Sequence, residues 1–405
     1  MSPLITIGMP VYMGGRGDGR LLKRALDSLF NQTFQDFQVI MVDNASPDDT
    51  ARIVKKLVKN DPRFAYHRHP VNMGVVYSFA RLVTACDSKY FLELHFDSHL
   101  APTYLEECLN ILEADQGAVI AYSYCQFVDQ AGNLLDVYKD TADFTHEDPG
   151  QRYLNLLSGL GWCTAFHGLW RHEAVASLQL HSLRHFNAAF DNEFLALAAL
   201  RGKLVQIPKP ILFRLKDSYQ REAESIETRF NRLYFNYPSF PNFLPFCTWI
   251  HDHCQFFRAV NVPLDRRDEL IRQTVSTLLN RYKHIVDYEL GRAVNLALTG
   301  EFKKGLRVWD EKGVLVKDEP LPPKGQYKYL DFVYLAQLLK DLEYAHCLRP
   351  DFPRLALARA VVRLELGQQP EALAALETAF KQNPNDQEVQ VLRAKLQSMV
   401  HQPKA

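Results

Sequence analysis

The sequence predicts an α/β domain with a Rossmann-like, mixed but mostly parallel sheet, followed by an all-α region. In the amino-terminal half, strand-like apolar runs alternate with stretches of helix length, which is the pattern of βαβ units. From about residue 221, apolar residues recur at spacings of three and four, which indicates helices. We therefore predict three parts: residues 1–220, a helical middle region over 221–325, and helical repeats over 326–405.

The first four elements are a strand, a helix, a second strand and a second helix. They cover residues 5–12, 21–32, 37–42 and 50–60, and the second strand runs directly into Asp43-Asn44-Ala45-Ser46. In parallel sheets, ligands bind beyond the carboxyl ends of the strands. We therefore expect Asp43, Asn44 and Ser46 to lie at a ligand site.

The second half of this domain begins with a strand near residues 119–124 and a turn at 129–133. Phe190-Asp191-Asn192-Glu193 opens a further helix, and Phe213-Arg214-Leu215-Lys216 ends the closing strand. Carboxylates are favoured at helix starts, so one interpretation of Asp191 and Glu193 is that they simply cap this helix.

The carboxyl-terminal region contains a repeat signal. Pro350 and Pro384 are 34 residues apart, which is the period of the tetratricopeptide repeat, and residues 366–373 resemble the turn between its two helices. Such hairpins bury their apolar faces by stacking on neighbouring units. Because these repeats commonly bind proteins, we expect that this region could bind a protein partner.

Composition limits the class of protein. The 405 residues contain 47 basic and 47 acidic side chains, and this zero formal charge argues against a nucleic-acid-binding protein. The seven cysteines form no Cys-x-x-Cys pair, which is typical of reduced thiols in a cytoplasmic protein. No leader and no membrane-spanning stretch is evident. We expect a cytoplasmic location and leave attachment to the membrane surface open.

The chain contains four short motifs in a fixed order: Pro10-Val11-Tyr12, Ser28-Leu29-Phe30-Asn31-Gln32-Thr33, Val42-Asp43-Asn44-Ala45-Ser46-Pro47-Asp48-Asp49-Thr50 and Asn72-Met73-Gly74. They resemble the motifs of the inverting family-two glycosyltransferases, which have the GT-A fold. The resemblance covers residues 4–216, about half of the chain. It implies transfer of a sugar from a nucleoside diphosphate donor, most often UDP-linked, to a hydroxyl of a glycan, lipid-linked or protein acceptor.

The resemblance also implies which residues contact the two substrates. The donor residues are Pro10, Tyr12, Asp43, Asn44, Ser46, Asn72, Gly74, Asp97, Arg214 and Lys216. Trp162 and His167 are the implied acceptor contacts, although both could be ordinary core residues. Asp43 and Asn44 could likewise be turn residues that follow a strand.

The family's metal-binding Asp-x-Asp corresponds to His95-Phe96-Asp97, so a histidine replaces the first carboxylate. A divalent cation, Mn²⁺ or Mg²⁺, would bind Asp97 and His95 and neutralise charge on the leaving diphosphate. Imidazole suits Mn²⁺ better than Mg²⁺. As an alternative, Lys216 with Arg214 could supply the positive charge, since lysine also binds phosphate.

The resemblance assigns the catalytic base to Asp191, with Glu193 as the second choice. Inverting transfer requires a carboxylate within hydrogen-bond reach of the acceptor hydroxyl. The alternative for the whole chain is a catalytically inactive scaffold that binds a protein partner. Replacement of the first aspartate by His95 is the kind of change expected in a site that has lost its catalytic function.

Overall fold

The computed structural model describes residues 2–12, 19–58, 61–176, 190–216, 244–259, 264–299, 307–309, 315–318 and 328–400. The chain divides into two compact units, Met1–Ala223 and Glu224–Ala405. The predicted boundaries after residues 220 and 325 both lie outside the described residues. Among the helices of the described ranges, none is both long and apolar enough to span a bilayer.

The first unit is built on one nine-stranded mixed sheet. Its strands are β1 (Ile5–Val11), β2 (Phe37–Asp43), β3 (Phe64–Arg68), β4 (Tyr90–Glu93), β5 (Ser98–Leu100), β6 (Ala118–Val128), β7 (Leu134–Tyr138), β8 (Leu169–Arg171) and β9 (Lys203–Leu215). The strand order is β3-β2-β1-β4-β8-β6-β9-β5, and β7 pairs with β6. β1 lies parallel to β2 and β4, so their carboxyl ends meet at one edge of the sheet.

The sheet's helices are α1 (Arg20–Phe30), α2 (Thr50–Val58), α3 (Val75–Ala85), α4 (Tyr104–Ala114), α5 (Pro149–Gly159), α6 (His172–Ala176) and α7 (Phe190–Arg201), with a 3₁₀ turn at Thr164–His167. Helix α1 buries Leu22, Leu26 and Leu29 along one face, which is why this stretch forms a packed helix. Helix α5 begins where the Asp148 side chain accepts a hydrogen bond from the Gln151 amide at 2.8 Å.

The second unit is mostly helical in its described residues. It contains α8 (Pro245–Ala259), α9 (Leu264–Thr299), α10 (Lys328–Leu348), α11 (Leu355–Glu365), α12 (Gln369–Gln382) and α13 (Gln387–Val400), with a short hairpin of β10 (Arg307–Trp309) and β11 (Leu315–Asp318). Glu289 is buried and accepts hydrogen bonds from the amides of Phe246 and Cys247, at 2.7 and 3.2 Å. A carboxylate thus satisfies free amides at the start of α8.

The predicted fold class is confirmed: a mixed α/β sheet domain precedes a region whose described residues are helical, except for the β10–β11 hairpin. The predicted turn at residues 366–373 separates α11 from α12, and Gly367 has a φ of 77° there. Glycine adopts this left-handed conformation without a steric penalty and is common after helices.

Candidate active site

A pocket of about 120 Å³ opens at the carboxyl ends of β1, β2 and β4. Its lining residues are Pro10, Val11, Tyr12, Asn44, Val75, Ser78, His95 and Phe96. Four residues that the sequence assigned to donor or cation binding, namely Pro10, Tyr12, Asn44 and His95, therefore share one cavity. The sheet explains this, since parallel neighbouring strands bring their ends together.

Asn44 joins this pocket to the start of α3. Its Nδ2 donates to Asn72 Oδ1 at 2.6 Å, and its Oδ1 accepts from the Met73 amide at 2.7 Å. The Gly74 amide donates to the same Asn72 oxygen at 2.9 Å. Gly74 has a φ of 84°, which a residue with a side chain rarely adopts. We call this arrangement the Asn44–Asn72 clasp.

Asp43 is fully buried and holds the end of β2 in place. Its Oδ1 accepts from the Ser46 amide at 2.8 Å, and its Oδ2 accepts from the Tyr66 hydroxyl at 2.5 Å. Arg68 lies 3.5 Å from the same Oδ2. These groups occupy the carboxylate and leave it no exposed surface, and the predicted donor contact through Asp43 stays a prediction.

The turn that follows Asp43 is conformationally demanding. Ala45 has a φ of 59°, which is the left-handed region, and the related motif usually has glycine at this place. The Ser46 hydroxyl is buried and has no hydrogen-bond partner among the described residues. A buried polar atom of this kind is a candidate ligand contact, so the prediction for Ser46 stays open.

Glu93, at the end of β4, lies between two imidazoles. Its Oε1 is 2.7 Å from His95 Nε2, and its Oε2 is 2.9 Å from His167 Nδ1. Glu93 and His167 are only 2% and 4% exposed. The two histidine rings meet edge to face, with centroids 5.0 Å apart. The buried carboxylate therefore fixes the orientation of the histidine that lines the pocket.

The three groups favour one distribution of charge. Burial opposes ionisation of Glu93, but His95 and His167 together outweigh it and hold the pKa of this carboxyl well below its usual range. Burial likewise opposes protonation of His95, and the Glu93 carboxylate outweighs it and raises the pKa of that imidazole. Burial and the nearby Arg214 lower the pKa of His167 to about 4. Glu93 is thus an anion, and His167 is neutral at pH 7.

Asp97 lies beyond β4, beside His95, and is partly exposed. Its Oδ1 accepts a long hydrogen bond, 3.4 Å, from the Ser98 hydroxyl. A partly exposed carboxylate fits a divalent cation, but His95 fits only through Nδ1 because Nε2 is bound to Glu93. Within the described ranges, no three His, Cys, Asp or Glu side chains converge in a manner that could hold a metal. Further ligands would have to come from the nucleotide.

Asp191 lies in the first turn of α7. Burial raises the pKa of its carboxyl, while a hydrogen bond from the Cys163 thiol acts in the opposite direction. Cys163 is buried and has a φ of 52°, just before the 3₁₀ turn that carries His167. The charge of Arg214 acts on Asp191 and also on His95. Asp191 therefore belongs to the same electrostatic cluster as the pocket histidine.

The other predicted residues lie at different depths. The Arg214 guanidinium is buried and donates to the Trp162 carbonyl at 3.0 Å. Glu193 is buried, which leaves Asp191 as the more accessible carboxylate of α7. Lys216 lies 3.9 Å from Asp136, an exposed residue of β7. Its predicted role as a phosphate ligand stays a prediction.

The two predicted acceptor contacts differ in accessibility. Trp162 is half-buried, and its ring packs 5.0 Å from that of Phe127. His167 is buried against Glu93 and offers an acceptor almost no surface. Its observed contact is with Glu93, and its assignment to the acceptor stays a prediction.

Sequence analysis missed Glu93 and Cys163 as parts of the site. Glu93 ends a buried strand next to β1, and this strand-end position is a signal that could have identified it. No comparable signal marks Cys163, because its place beside Asp191 depends on the packing of α7 against the 3₁₀ turn. Tyr66 and Arg68 were missed for the same reason, since they reach Asp43 from an adjacent strand.

Comparison with known proteins supports the assignment of both parts of the chain. Residues 6–166 match the model of Glycosyl transferase family 2, and residues 337–396 match a Tetratricopeptide repeat model. Chondroitin synthase of Escherichia coli is 30% identical over 133 residues, which are 33% of this chain and 19% of that protein. An uncharacterised glycosyltransferase of Methanocaldococcus jannaschii is 28% identical over 34% of this chain and 47% of its own length. The chain thus spans less than half of these relatives.

Solved structures show the same fold. The structure of S. aureus TarS 1–349 in complex with UDP-GlcNAc has a TM-score of 0.52 and 15% identity, covering 90% of this chain and 92% of that one. Its complex with UDP has a TM-score of 0.51 and 15% identity, covering 91% and 90%. Residues 6–166 therefore belong to a family 2 glycosyl transferase domain of the GT-A fold, and tetratricopeptide-like helical repeats follow it in the chain.

Proposed function

We propose that this protein is an inverting glycosyltransferase that moves a sugar from a nucleoside diphosphate donor to a hydroxyl group. The observation that supports this most is the grouping of Tyr12, Asn44 and His95 in one pocket, with Asp97 beside His95. Arg214 acts electrostatically on both His95 and Asp191. This shared influence supports the proposal that the donor site and the base adjoin, which is the arrangement that the transfer requires.

In the proposed mechanism, the pocket binds the nucleoside of the donor. Asn44 and Tyr12 contact the base and ribose, which places the diphosphate toward His95 and Asp97. Arg214 contributes positive charge near the reacting groups. Fixed charges aimed at a departing diphosphate are usually the largest part of such catalysis.

Asp191 accepts the proton of the acceptor hydroxyl. The acceptor oxygen then forms its bond to the anomeric carbon as the bond from that carbon to the diphosphate oxygen breaks. Attack occurs opposite the leaving group and inverts the anomeric configuration. The Cys163 thiol holds the Asp191 carboxyl during this step.

A divalent cation fits this mechanism at Asp97, with His95 as a second ligand through Nδ1. Such a cation, Mn²⁺ or Mg²⁺, would neutralise charge on the leaving diphosphate. We expect EDTA to stop turnover, and Asp97→Asn to weaken the calorimetric binding of Mn²⁺ in the presence of UDP. Full activity in EDTA would favour the alternative in which Lys216 and Arg214 supply the charge.

The relatives guide the choice of substrates. TarS was solved with UDP and UDP-GlcNAc, and several relatives are named as synthases of chondroitin or hyaluronan. We therefore propose a UDP-linked sugar as donor and a glycan or a lipid-linked saccharide as acceptor, with a protein acceptor as the third class. We also propose that the repeats at residues 337–396 bind a protein partner, which the match to a Tetratricopeptide repeat model supports.

The experiment that tests this proposal is Asp191→Asn. Loss of a general base lowers kcat by roughly 10²–10⁴-fold, whereas UDP affinity should change by less than about twofold because Asn44 and Tyr12 are unchanged. Glu193→Gln, on the same helix, tests the second choice for the base in the same assay. Full activity of the Asp191 variant with several UDP-sugars would remove Asp191 from the mechanism.

The second candidate function is a scaffold without catalysis, which the replacement of a carboxylate by His95 favours. A scaffold would show no saturable UDP binding and no hydrolysis of UDP-sugars. Thermal shift with nucleotide sugars, with and without Mn²⁺, distinguishes the two functions because a selective ligand stabilises the fold.

A further inference from the structure

An apolar cluster is exposed beside the donor pocket. Eight large apolar side chains are exposed in the described residues, and four of them lie within seven consecutive positions. They are Val71 at 57%, Met73 at 37%, Val75 at 39% and Tyr77 at 43%. Single exposed apolar residues are common on soluble proteins, but a concentration of them marks an interaction surface.

A basic cavity adjoins this cluster. It has a volume of about 400 Å³ and opens beside β3, the strand at the edge of the sheet. The basic residues that line it are His67, Arg68, His69 and Arg81. Asp43 is the acidic group beside it, and its Oδ2 is already bound by Tyr66 and lies 3.5 Å from Arg68.

The cavity and the cluster form one continuous surface. The ring of His69 lies 5.3 Å from that of Tyr77, and Arg81 lies close enough to influence His69 electrostatically. Val75 belongs to the cluster and also lines the donor pocket. We call this region the 67–81 surface.

The charge of this surface differs from that of the whole chain. The protein has equal numbers of acidic and basic residues, yet residues 62–86 contain no aspartate or glutamate. The same 25 positions contain three arginines, Arg63, Arg68 and Arg81, and two histidines, His67 and His69. Arg63 pairs with Asp61 at 2.8 Å, so Arg68 and Arg81 are the arginines that give the cavity beside the apolar cluster its positive charge.

We propose that the 67–81 surface docks this protein on anionic phospholipid membranes, with a lipid phosphate in the basic cavity and the apolar cluster among the lipid headgroups. Basic residues combined with exposed apolar side chains are the recognition chemistry of an anionic bilayer. A soluble acidic polysaccharide offers anions but no apolar surface to match Val71, Met73 and Tyr77. An acidic protein is the other occupant, and failure of the full chain to bind anionic vesicles would favour it.

Docking through this surface would have a consequence for the donor pocket. Val75 is common to both, so the pocket would open close to the plane of the lipid headgroups. The inference does not depend on the proposed transferase activity, since it concerns binding without donor or acceptor. A membrane-bound form would be well placed to use an acceptor carried on a lipid.

The test is co-sedimentation of the full chain with vesicles of phosphatidylcholine alone or of phosphatidylcholine with phosphatidylglycerol. We expect binding only to the anionic vesicles, and weaker binding at high salt because charge is screened. Arg81→Gln should weaken binding about fivefold, since one basic residue near an anionic surface contributes about 1 kcal/mol. Val71→Ser combined with Tyr77→Ser should reduce vesicle binding further.

The matched control is Leu134→Ser combined with Leu135→Ser, because these residues of β7 are also exposed but lie outside the 67–81 surface. Circular dichroism verifies that each variant is folded. The proposal is overturned if the full chain does not bind anionic vesicles, or if the control variant loses as much binding as the Val71 and Tyr77 variant. Thermal stabilisation by glycerol phosphate without vesicle binding would also overturn it, in favour of a soluble anion.

Discussion

Replacement of Glu93 by glutamine tests whether its buried carboxylate organises the pocket. The change preserves the size of the side chain but removes its charge. In the native protein the two carboxylate oxygens lie 2.7 and 2.9 Å from nitrogens of His95 and His167. A glutamine can accept one hydrogen bond through its oxygen, but its amide group then faces the other imidazole with donors of its own.

The expected loss follows from the burial and the two contacts. A hydrogen bond to a charged group contributes about 1.5–3 kcal/mol, and removing one partner of a buried ion pair costs about 3–5 kcal/mol. Because glutamine retains one contact, we expect Glu93→Gln to lower the free energy of unfolding by about 3 kcal/mol. In a domain of this size, 1 kcal/mol changes the midpoint by about 2–4 °C, so the first unit should unfold roughly 6–12 °C earlier.

The assay is thermal unfolding, followed by circular dichroism and by binding of UDP. The matched control is Glu113→Gln, whose partner Lys89 lies 2.8 Å away at the surface. An exposed pair contributes at most about 1 kcal/mol, so the control should move the midpoint by a few degrees at most. UDP affinity should fall in the Glu93 variant because His95 lines the donor pocket. If both variants unfold at the same temperature, Glu93 does not have the structural role argued above.

Two further predictions concern backbone conformation and the catalytic base. Ala45→Gly should raise the free energy of unfolding by about 0.5–1 kcal/mol, because glycine adopts the left-handed conformation without the steric cost that alanine has there. The control Ala80→Gly, in the middle of α3, should lower the free energy of unfolding by about 1 kcal/mol. If urea unfolding shows that both variants change this free energy in the same direction, Ala45 is not strained as argued. Cys163→Ala should move the acid limb of the activity profile to higher pH, because the thiol lowers the pKa of Asp191 and its loss raises that pKa. Cys163→Ser should restore most of the wild-type profile, and an unchanged profile in the alanine variant would refute the contact.

Much of the fold could be predicted from the sequence because it depends on local patterns. β1 and β2 are continuous apolar runs, as expected of strands covered on both faces, and α1 has apolar residues at helical spacing. The repeat helices were predictable from two prolines at a fixed period. These signals need only residues that are close in the chain or regularly spaced along it.

The site could be predicted only in part, since motifs give the position of a residue but not its depth or its partners. Asn44 was expected at a strand end and does line the pocket. Asp43 is its neighbour in the chain, yet it is buried because Tyr66 and Arg68 reach it from β3. His167, which was assigned to the acceptor, contacts Glu93, a pairing across 74 positions that no local pattern encodes.

The Asn44–Asn72 clasp couples the end of β2 to the start of α3, two stretches that are distant in the sequence. The side-chain oxygen of Asn72 accepts hydrogen bonds from both the Asn44 side chain and the Gly74 amide. Loss of either the Asn44 or the Asn72 side chain would release the end of β2 and the start of α3 together. The effects of the two substitutions on the free energy of unfolding should therefore not be additive in a double-mutant cycle. A nucleotide that contacts Asn44 would therefore also affect the start of α3, where Val75 and Tyr77 lie. Donor binding and attachment to the membrane would then act on the same segment of the chain.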